Sequence, residues 1–529
     1  RQDPSTTRQG PASVAGSDHI RTDLGAEPDR SRCGGGAAAT AIAVVPGQYP
    51  GHMDLLSLAA GRRDAGLAAL DAEGRADLGQ FFTPIAVARI MADLPRLPRE
   101  GVLRVLDPGA GSGVLSAAVV ERARREAPGL RVEVTAVEVD RRLHGVLSET
   151  LSDLESTGAR TTLVKDDFVS WALRAEERFD LVIQNPPYHK IRSRSLLDQD
   201  LRAAGIIVPN IYAGFMALGS LLMDDGGQQV SITPRSWMNG TYFSMFRRAL
   251  LARLGIDSIH TFQSRSQVFG DLDVLQETIV VAATRGHAPP MVRLSSSVDH
   301  RDAPVTRAVP RSQVVTDDFI FVPASDEDGA AVSWMERAQH TLSDLGLSVS
   351  TGRVVDFRCR DLLADEASRH CAPMVYPANI ADAQVVHPRS TVRKPQWFKT
   401  DSALSPKLLV PAGSYVLVKR FSAKEEKRRI VSALWSDDRA PAFDNKLNYI
   451  HRQGRGLEED VAAGLVAWLN STPVDAYFRV FSGHTQVNAG DLRRMRFPSL
   501  EQLRLLGTAS LDPDDAVEQI MGTLGAAAA

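Results

Sequence analysis

Between residues 102 and 283 the sequence alternates short apolar runs with amphipathic stretches, and this alternation constrains the fold more tightly than any other feature. The runs are VLRVLD (102–107), VEVTAVEVD (132–140), TTLVKD (161–166), FDLVIQ (179–184), QVSIT (229–233), IDSIHTF (256–262) and ETIVVAA (277–283). Each is short, rich in β-branched residues and bounded by turn formers, as strands are. The segments GVLSAAVVERARREA and YFSMFRRALLARLG between them carry helical periodicity. Such alternation predicts an α/β domain with a doubly wound, largely parallel, seven-stranded Rossmann-like sheet. The last run follows a loop rather than a long helix, so it is expected to be antiparallel.

A chain of 529 residues, 43% of them hydrophobic, buries more than one core, and the texture of the sequence divides it accordingly. Residues 1–52 are rich in Gly, Ala, Ser, Pro and Arg without apolar period and are expected to be mostly disordered. A catalytic domain is expected over 53–290. Near its start Thr83 is positioned to cap a helix whose first turn takes Pro84, with Val87, Ile90, Met91 and Leu94 on one face. Beyond 290 the Pro- and Arg-containing text HAPPMVRLSSSVDHRDAPVTRAVP breaks the pattern, and a second, α+β domain is expected over 291–515, followed by an Ala-rich tail, 516–529. Three cysteines, Cys33, Cys359 and Cys371, have no metal-ligand spacing and suit a reducing cytoplasm. No apolar run is long enough to span a bilayer. A net charge of −3 decides nothing about nucleic acid, because the placement of basic residues matters more than their sum.

The strand ends carry the chemistry. After the first strand, DPGAGSG places Gly109, Gly111 and Gly113 before a helix, where backbone can approach a ligand and unpaired N–H groups point outward. A plain tight turn or a dinucleotide site would account for the glycines alone. At the end of the second strand, Glu138 suits a ribose diol or is simply a solvated carboxylate. At the end of the third, Asp167 and Phe168 suit an adenine amino group and ring. Together, converging on one crevice, the set favours an adenosine compound.

The fourth strand ends in QNPPY. Pro186 and Pro187 fix two backbone torsions and donate no hydrogen bonds, so Asn185 and the Pro186 carbonyl are held as acceptors suited to one NH₂ group. Tyr188 adds a flat face for a base. A proline turn with an aromatic plug is the alternative.

The ordered set GQFFTP, DPGAGSG, VEVD, DDFVSW, NPPY and QVFGDLDVLQETIVV, over residues 75–285, resembles the gamma-group (TaqI-like) adenine-N6 DNA methyltransferases of restriction-modification systems. SGHTQVNAGDLRRMRFPSL (482–500) is more loosely similar to the closing segment of their recognition domain. The resemblance implies a class I methyltransferase sheet, S-adenosylmethionine as cofactor, double-stranded DNA as substrate and no metal. By position, Thr83 and Pro84 would line the cofactor site. Asp107, Pro108, Gly109 and Gly111 would meet its methionine end, Glu138 its ribose, and Asp167 and Phe168 its adenine. Asn185, Pro186, Pro187 and Tyr188 would form the catalytic corner, with Phe269 as the second stacking ring; a hydrophobic loop anchor is the other reading of Phe269. Asp107 departs from a frequent Glu, being one methylene shorter.

On this reading the target adenine must flip out of the duplex, and the second domain must recognise sequence. Its basic stretches are RSTVRKPQWFK (389–399) and VKRFSAKEEKRR (418–429). From these, Arg393, Lys394, Lys419 and Arg420 are candidate phosphate contacts, against the reading of a solvated face. His484, Gln486 and Asn488 are candidate base-edge contacts, with a capped loop as the alternative. The expected setting is a cytoplasmic monomer whose functional partner is a cognate restriction endonuclease. A methyltransferase for RNA or protein glutamine, and an inactive DNA-binding homologue, are the competing functions. The target sequence is not legible; the text is nearest to enzymes that modify adenine in TCGA-core palindromes.

Overall fold

The computed structural model describes residues 54–69, 83–262, 278–297, 304–316, 319–422, 426–481 and 486–527. The expected disordered segment 1–52, together with Phe269 and His484, lies outside the described residues. All seven expected strands form: β1 (Glu100–Pro108), β2 (Gly129–Val137), β3 (Arg160–Val164), β4 (Phe179–Gln184), β5 (Met223–Pro234), β6 (Leu254–Phe262) and β7 (Thr278–Arg285). Two more, β8 (Met291–Ser297) and β9 (Val305–Pro310), extend the same sheet, whose order is 3-2-1-4-5-7-6-8-9. The sheet thus continues past residue 290, where the change in texture suggested a boundary. The Pro-containing link before β8 turns the chain back, and β8 pairs in parallel with β6. β7 is antiparallel to both β5 and β6, as expected for a run that follows a loop rather than a long helix.

Alternate strand residues serve opposite faces. Leu181 and Ile183 join a core with Ala117, Val120, Leu147 and Leu151 of the helices Val114–Glu126 and His144–Ser156. Val182 faces a second core with Phe168, Phe215 and Phe246 on the other side. Both faces of β4 are therefore covered, which is why its Leu181, Val182 and Ile183 are apolar without alternation. The strand order reverses between β1 and β4, and the crevice at their carboxyl ends is where ligands bind in sheets of this kind.

The later strands are β10 (Ser348–Thr351), β11 (Leu363–Ala364), β12 (Cys371–Val375), β13 (Ile380–Ala381), β14 (Gln384–Val385), β15 (Trp397–Lys399), β16 (Gly413–Lys419), β17 (Ser432–Asp437), β18 (Ala442–Phe443) and β19 (Leu447–His451). They form a six-stranded sheet, order 10-19-16-17-14-13, and a four-stranded sheet, order 11-15-12-18. Helices Glu459–Asn470, Thr472–Phe481 and Leu500–Thr508 pack on this part through Trp468, Phe478 and Leu503. The segment read as a tail is instead helical, Pro513–Ala527, with Val517 and Met521 buried in the same core. Its alanines are compatible with a helix, and the apolar spacing Val517–Met521 supplies a packing face.

Residues 319–321 stitch the two halves together. Phe319 and Phe321 point into the C-terminal core while Ile320 points into the N-terminal one, and the Ile320 N–H donates to the Met238 carbonyl at 3.2 Å. Contacts therefore cross between the halves, and residues 54–529 group as one compact unit. Among the described residues no helix is long and apolar enough to cross a membrane.

Candidate active site

The glycine loop leaves β1 with three left-handed residues, Gly109 (φ 69°), Gly111 (φ 60°) and Gly113 (φ 81°), a conformation that side-chain-bearing residues seldom adopt. A Cβ at Gly113 would also stand 3.0 Å from Leu147 Cδ1 and Thr150 Cγ2, so this glycine lets the helix Val114–Glu126 sit close to its neighbour. Gly109 and Ala110 donate to the Val137 carbonyl at 2.8 and 3.0 Å, tying the loop to the end of β2.

Glu138 completes that tie. It is 3% exposed, and its carboxylate accepts the Gly111 N–H at 2.8 Å and the Asp140 N–H at 2.8 Å. It is therefore not a solvated surface carboxylate. Burial pushes its pKa up, and the two N–H bonds pull it back. Asp140, which the sequence reading passed over, is 7% exposed and pairs with Arg142 at 2.8 Å.

Asp107 is 1% exposed, and its Oδ2 accepts both the Ser116 N–H (3.2 Å) and the Ser116 hydroxyl (2.6 Å). Its Oδ1 is buried with no partner among the described residues. Burial raises its pKa to about 7, with nearby Glu138 adding to the rise. A buried acceptor without a donor fits an incoming cation such as the ammonium of S-adenosylmethionine. The short Asp is held at the β1 end by Ser116, on the helix that the loop feeds.

Asp167 Oδ1 accepts the Ser170 N–H at 2.9 Å and caps the short helix Phe168–Ala172, leaving Oδ2 without a partner among the described residues. Phe168 is 3% exposed, with its ring 4.6 Å from that of Phe215. It backs the crevice wall from within the core rather than presenting an open ring face.

Thr83 does not cap its helix. Pro84 is the N-cap, extended at φ −62°, ψ 150°, and the helix begins at Ile85. Thr83 Oγ1 instead accepts from the Asn185 amide Nδ2 at 3.1 Å, so a residue expected at the cofactor holds the Asn-Pro-Pro-Tyr corner. Sequence spacing gave no signal for this contact, which joins residues 102 positions apart. With its NH₂ turned to Thr83, Asn185 presents Oδ1 on the other side, where the Tyr188 hydroxyl lies 3.1 Å away. That hydroxyl also lies 3.3 Å from the Ile232 carbonyl at the end of β5. Tyr188 is thus fixed at its oxygen, and its ring meets Tyr212 edge-on at 6.2 Å. Burial holds its pKa far above the ordinary phenol range, so it stays a protonated donor. Pro186 is buried, Pro187 half-buried, and no hydrogen bond reaches the Pro186 carbonyl among the described residues.

In the C-terminal half the two basic stretches converge on the turn 444–446. The Arg420 N–H donates to the Lys446 carbonyl at 3.0 Å, and its guanidinium donates to the Asn445 carbonyl at 2.6 Å. Lys394 and Lys446 both pair with Asp356, and Lys394 lies 5.2 Å from the centre of the Tyr376 ring. Arg393 is exposed, whereas Lys419 and Arg420 are only half-buried. Lys394 and Arg420 thus already serve the fold, and Arg429 of the same basic run is 1% exposed. Gln486 bridges Phe421, and the Val487 N–H donates to the Arg420 carbonyl at 2.8 Å. The polar loop and the second basic stretch are therefore neighbours. Asn488 forms the capping box of the helix Ala489–Arg494 with Asp491, the capped-loop alternative for this residue. Among the described residues no three His, Cys, Asp or Glu side chains are grouped to hold a metal ion.

The profile of the family described as Eco57I restriction-modification methylase matches residues 135–269. The chain is 37% identical over 469 residues to the type II methyltransferase M.BsuBI of Bacillus subtilis, covering 85% of this chain and 93% of that one. It is 36% identical over 464 residues to the type II methyltransferase M.PstI of Providencia stuartii, covering 83% and 91%. A shorter match, 37% over 93 residues and 18% of this chain, is to the tRNA1(Val) (adenine(37)-N6)-methyltransferase of Salmonella arizonae. With a loop, a carboxylate set and an Asn-Pro-Pro-Tyr corner assembled at one sheet edge, and similarity that runs nearly end to end, the chain belongs to the type II restriction-modification methyltransferases.

Proposed function

We propose that the chain is a site-specific DNA adenine-N6 methyltransferase, which protects DNA against a cognate restriction endonuclease. The observation that carries this reading is the corner after β4. There a carboxamide oriented by Thr83 and the carbonyl of a buried proline, without a partner among the described residues, offer two acceptors beside a fixed tyrosine ring. An amino group attached to a ring is a weak nucleophile because its lone pair is delocalised. Asn185 Oδ1 and the Pro186 carbonyl, accepting its two hydrogens, draw the nitrogen toward a pyramidal shape and aim its lone pair. Tyr188 supports the ring of the extruded base by stacking. Asp107 Oδ1, Glu138 and Asp167 Oδ2 are the groups that would hold S-adenosylmethionine, whose sulfonium supplies an activated methyl. Positioning and two hydrogen bonds then provide most of the rate enhancement.

DNA is favoured over RNA by extent: the type II relatives match both halves of the chain, and the tRNA enzyme only a short stretch. The C-terminal half is assigned to target recognition, with Arg393, Lys419 and Gln486 as its candidate DNA contacts. The test is Asn185→Ala assayed for methyl transfer to duplex DNA and for cofactor binding. Losing one acceptor should lower transfer on the order of 100-fold or more while cofactor affinity stays near the parent's. Transfer within tenfold of the parent overturns the assignment.

A further inference from the structure

We propose that Lys190, Arg192 and Arg194, immediately after the catalytic corner, form a phosphate clamp on the DNA strand that supplies the flipped base. The inference rests on reading the corner as a DNA adenine site, and it assigns that site's grip on the sugar-phosphate backbone. The segment HKIRSRS leaves Tyr188 with Lys190, Arg192 and Arg194 all exposed, while Ile191 between them packs against the core beneath. Its backbone is pinned rather than loose. The Ile191 N–H donates to the Pro209 carbonyl at 3.0 Å, the Ile211 N–H donates to the His189 carbonyl at 3.1 Å, and Lys190 bridges Asn210. The Ser195 N–H donates to the Arg192 carbonyl at 3.1 Å, and the Ser195 hydroxyl caps the helix Leu196–Ala203.

What separates these three cations from an ordinary solvated face is their grouping on one pinned loop directly after the corner, with no acid paired to any of them among the described residues. In the same domain Arg104, Arg122, Arg142 and Arg174 each pair with a carboxylate within 2.8 Å. Among the described residues no carboxylate pairs with the side chain of Lys190, Arg192 or Arg194. The acid nearest to them in sequence, in the first turn of the helix Leu196–Ala203, is already committed. Asp198, 7% exposed, accepts the guanidinium of Arg202 at 2.8 Å and the backbone N–H of Arg194 at 2.8 Å. That second bond holds Arg194 in the left-handed region, φ 63°, an unusual conformation for a residue with a side chain. Among the described residues its guanidinium is left without a counter-charge. Three uncompensated cations on a pinned loop, two to six residues beyond Tyr188, lie where the backbone flanking an extruded base must run. Phosphate contacts of this kind fix register and carry no sequence information.

The experiment compares the parent with Lys190→Gln/Arg192→Gln/Arg194→Gln in duplex binding between 50 and 200 mM salt. Each lost phosphate contact removes about 0.9 from the slope of log affinity against log salt, so the variant's affinity should change about 40-fold less than the parent's across that range. The Michaelis constant for DNA should rise, while cofactor affinity and the set of methylated sites stay as in the parent. The charge-keeping Lys190→Arg/Arg192→Lys/Arg194→Lys should recover the parent slope. An unchanged slope in the Gln variant, or failure of the charge-keeping variant to recover it, overturns the clamp while leaving the methyltransferase reading intact. A parent that binds no duplex overturns that reading and the clamp with it.

Discussion

Replacing Asp107 by Asn should weaken S-adenosylmethionine binding and erase part of its pH dependence. The substitution preserves the local packing: a carboxamide oxygen can still accept from Ser116, leaving the NH₂ where Oδ1 stands unpartnered. What is lost is the charge opposite the ammonium, worth about 1.5 to 3 kcal/mol for a charge-assisted bond, or roughly 10- to 150-fold in affinity. In the parent, burial raises the Asp107 pKa from 3.8 to about 7. The folded protein therefore holds this proton where the unfolded chain has released it. Without cofactor, stability should fall as pH rises from about 4 to 7, by about 4 kcal/mol in all if Asp107 acts alone. A bound cation favours the carboxylate, so log affinity should climb by up to about one unit per pH unit below 7 and level off above it. The assay is isothermal calorimetry of parent and variant from pH 5.5 to 8.5. Because the cofactor's own amine titrates equally in both, the difference between the two curves isolates Asp107. A difference that is flat across the whole range, or a variant that binds as well as the parent at pH 8, refutes the role given to Oδ1.

Thr83→Val should lower the rate constant for transfer by about tenfold, the value of one positioning hydrogen bond, with little change in cofactor affinity; single-turnover kinetics separates the two. Equal loss in both would return Thr83 to the cofactor site. Glu138→Ala should weaken the cofactor at least tenfold and also lower the melting temperature, because the Gly111 and Asp140 N–H groups lose their acceptor; calorimetry and thermal denaturation measure each. An unchanged melting temperature would mean that those bonds do not brace the loop. For Phe269→Ala, methylation should slow and the fluorescence of 2-aminopurine at the target position should change, with stability and cofactor affinity near the parent's. Lost stability with unchanged fluorescence would make Phe269 a packing residue.

The sheet was legible because its strands are buried on both faces, and FDLVIQ or ETIVVAA can hardly be anything else between turn formers. β8 and β9 were not, because their half-exposed, serine- and arginine-bearing text lacks that signal, and pairing with β6 is a tertiary event. At the site, motif order located Asp107, Glu138, Asp167 and Asn185 at one edge. It did not distinguish a carboxylate with an unpaired oxygen from one bonded at both: among the described residues Asp107 Oδ1 has no partner, whereas both Glu138 oxygens hold backbone N–H groups. Nor did it reveal Thr83 as the support of Asn185, or Phe168 as a buried wall. Charge runs were the least informative. Lys394 and Arg429 look alike in sequence, yet one pairs with Asp356 and the other is buried among Phe478, Ser422 and Asp475. Whether a cation is free is a fact about its neighbours in space, which is why the loop 190–194 carried no signal in the text.

The most direct measurement is base-resolved mapping of modified nucleotides in DNA from cells expressing the parent and, separately, Asn185→Ala. The account predicts N6-methyladenine at one recurring short sequence in the parent, whether or not it has a TCGA core, and none above background in the variant. Methylation confined to cytosine or to RNA, or adenine methylation that survives in the variant, would contradict it.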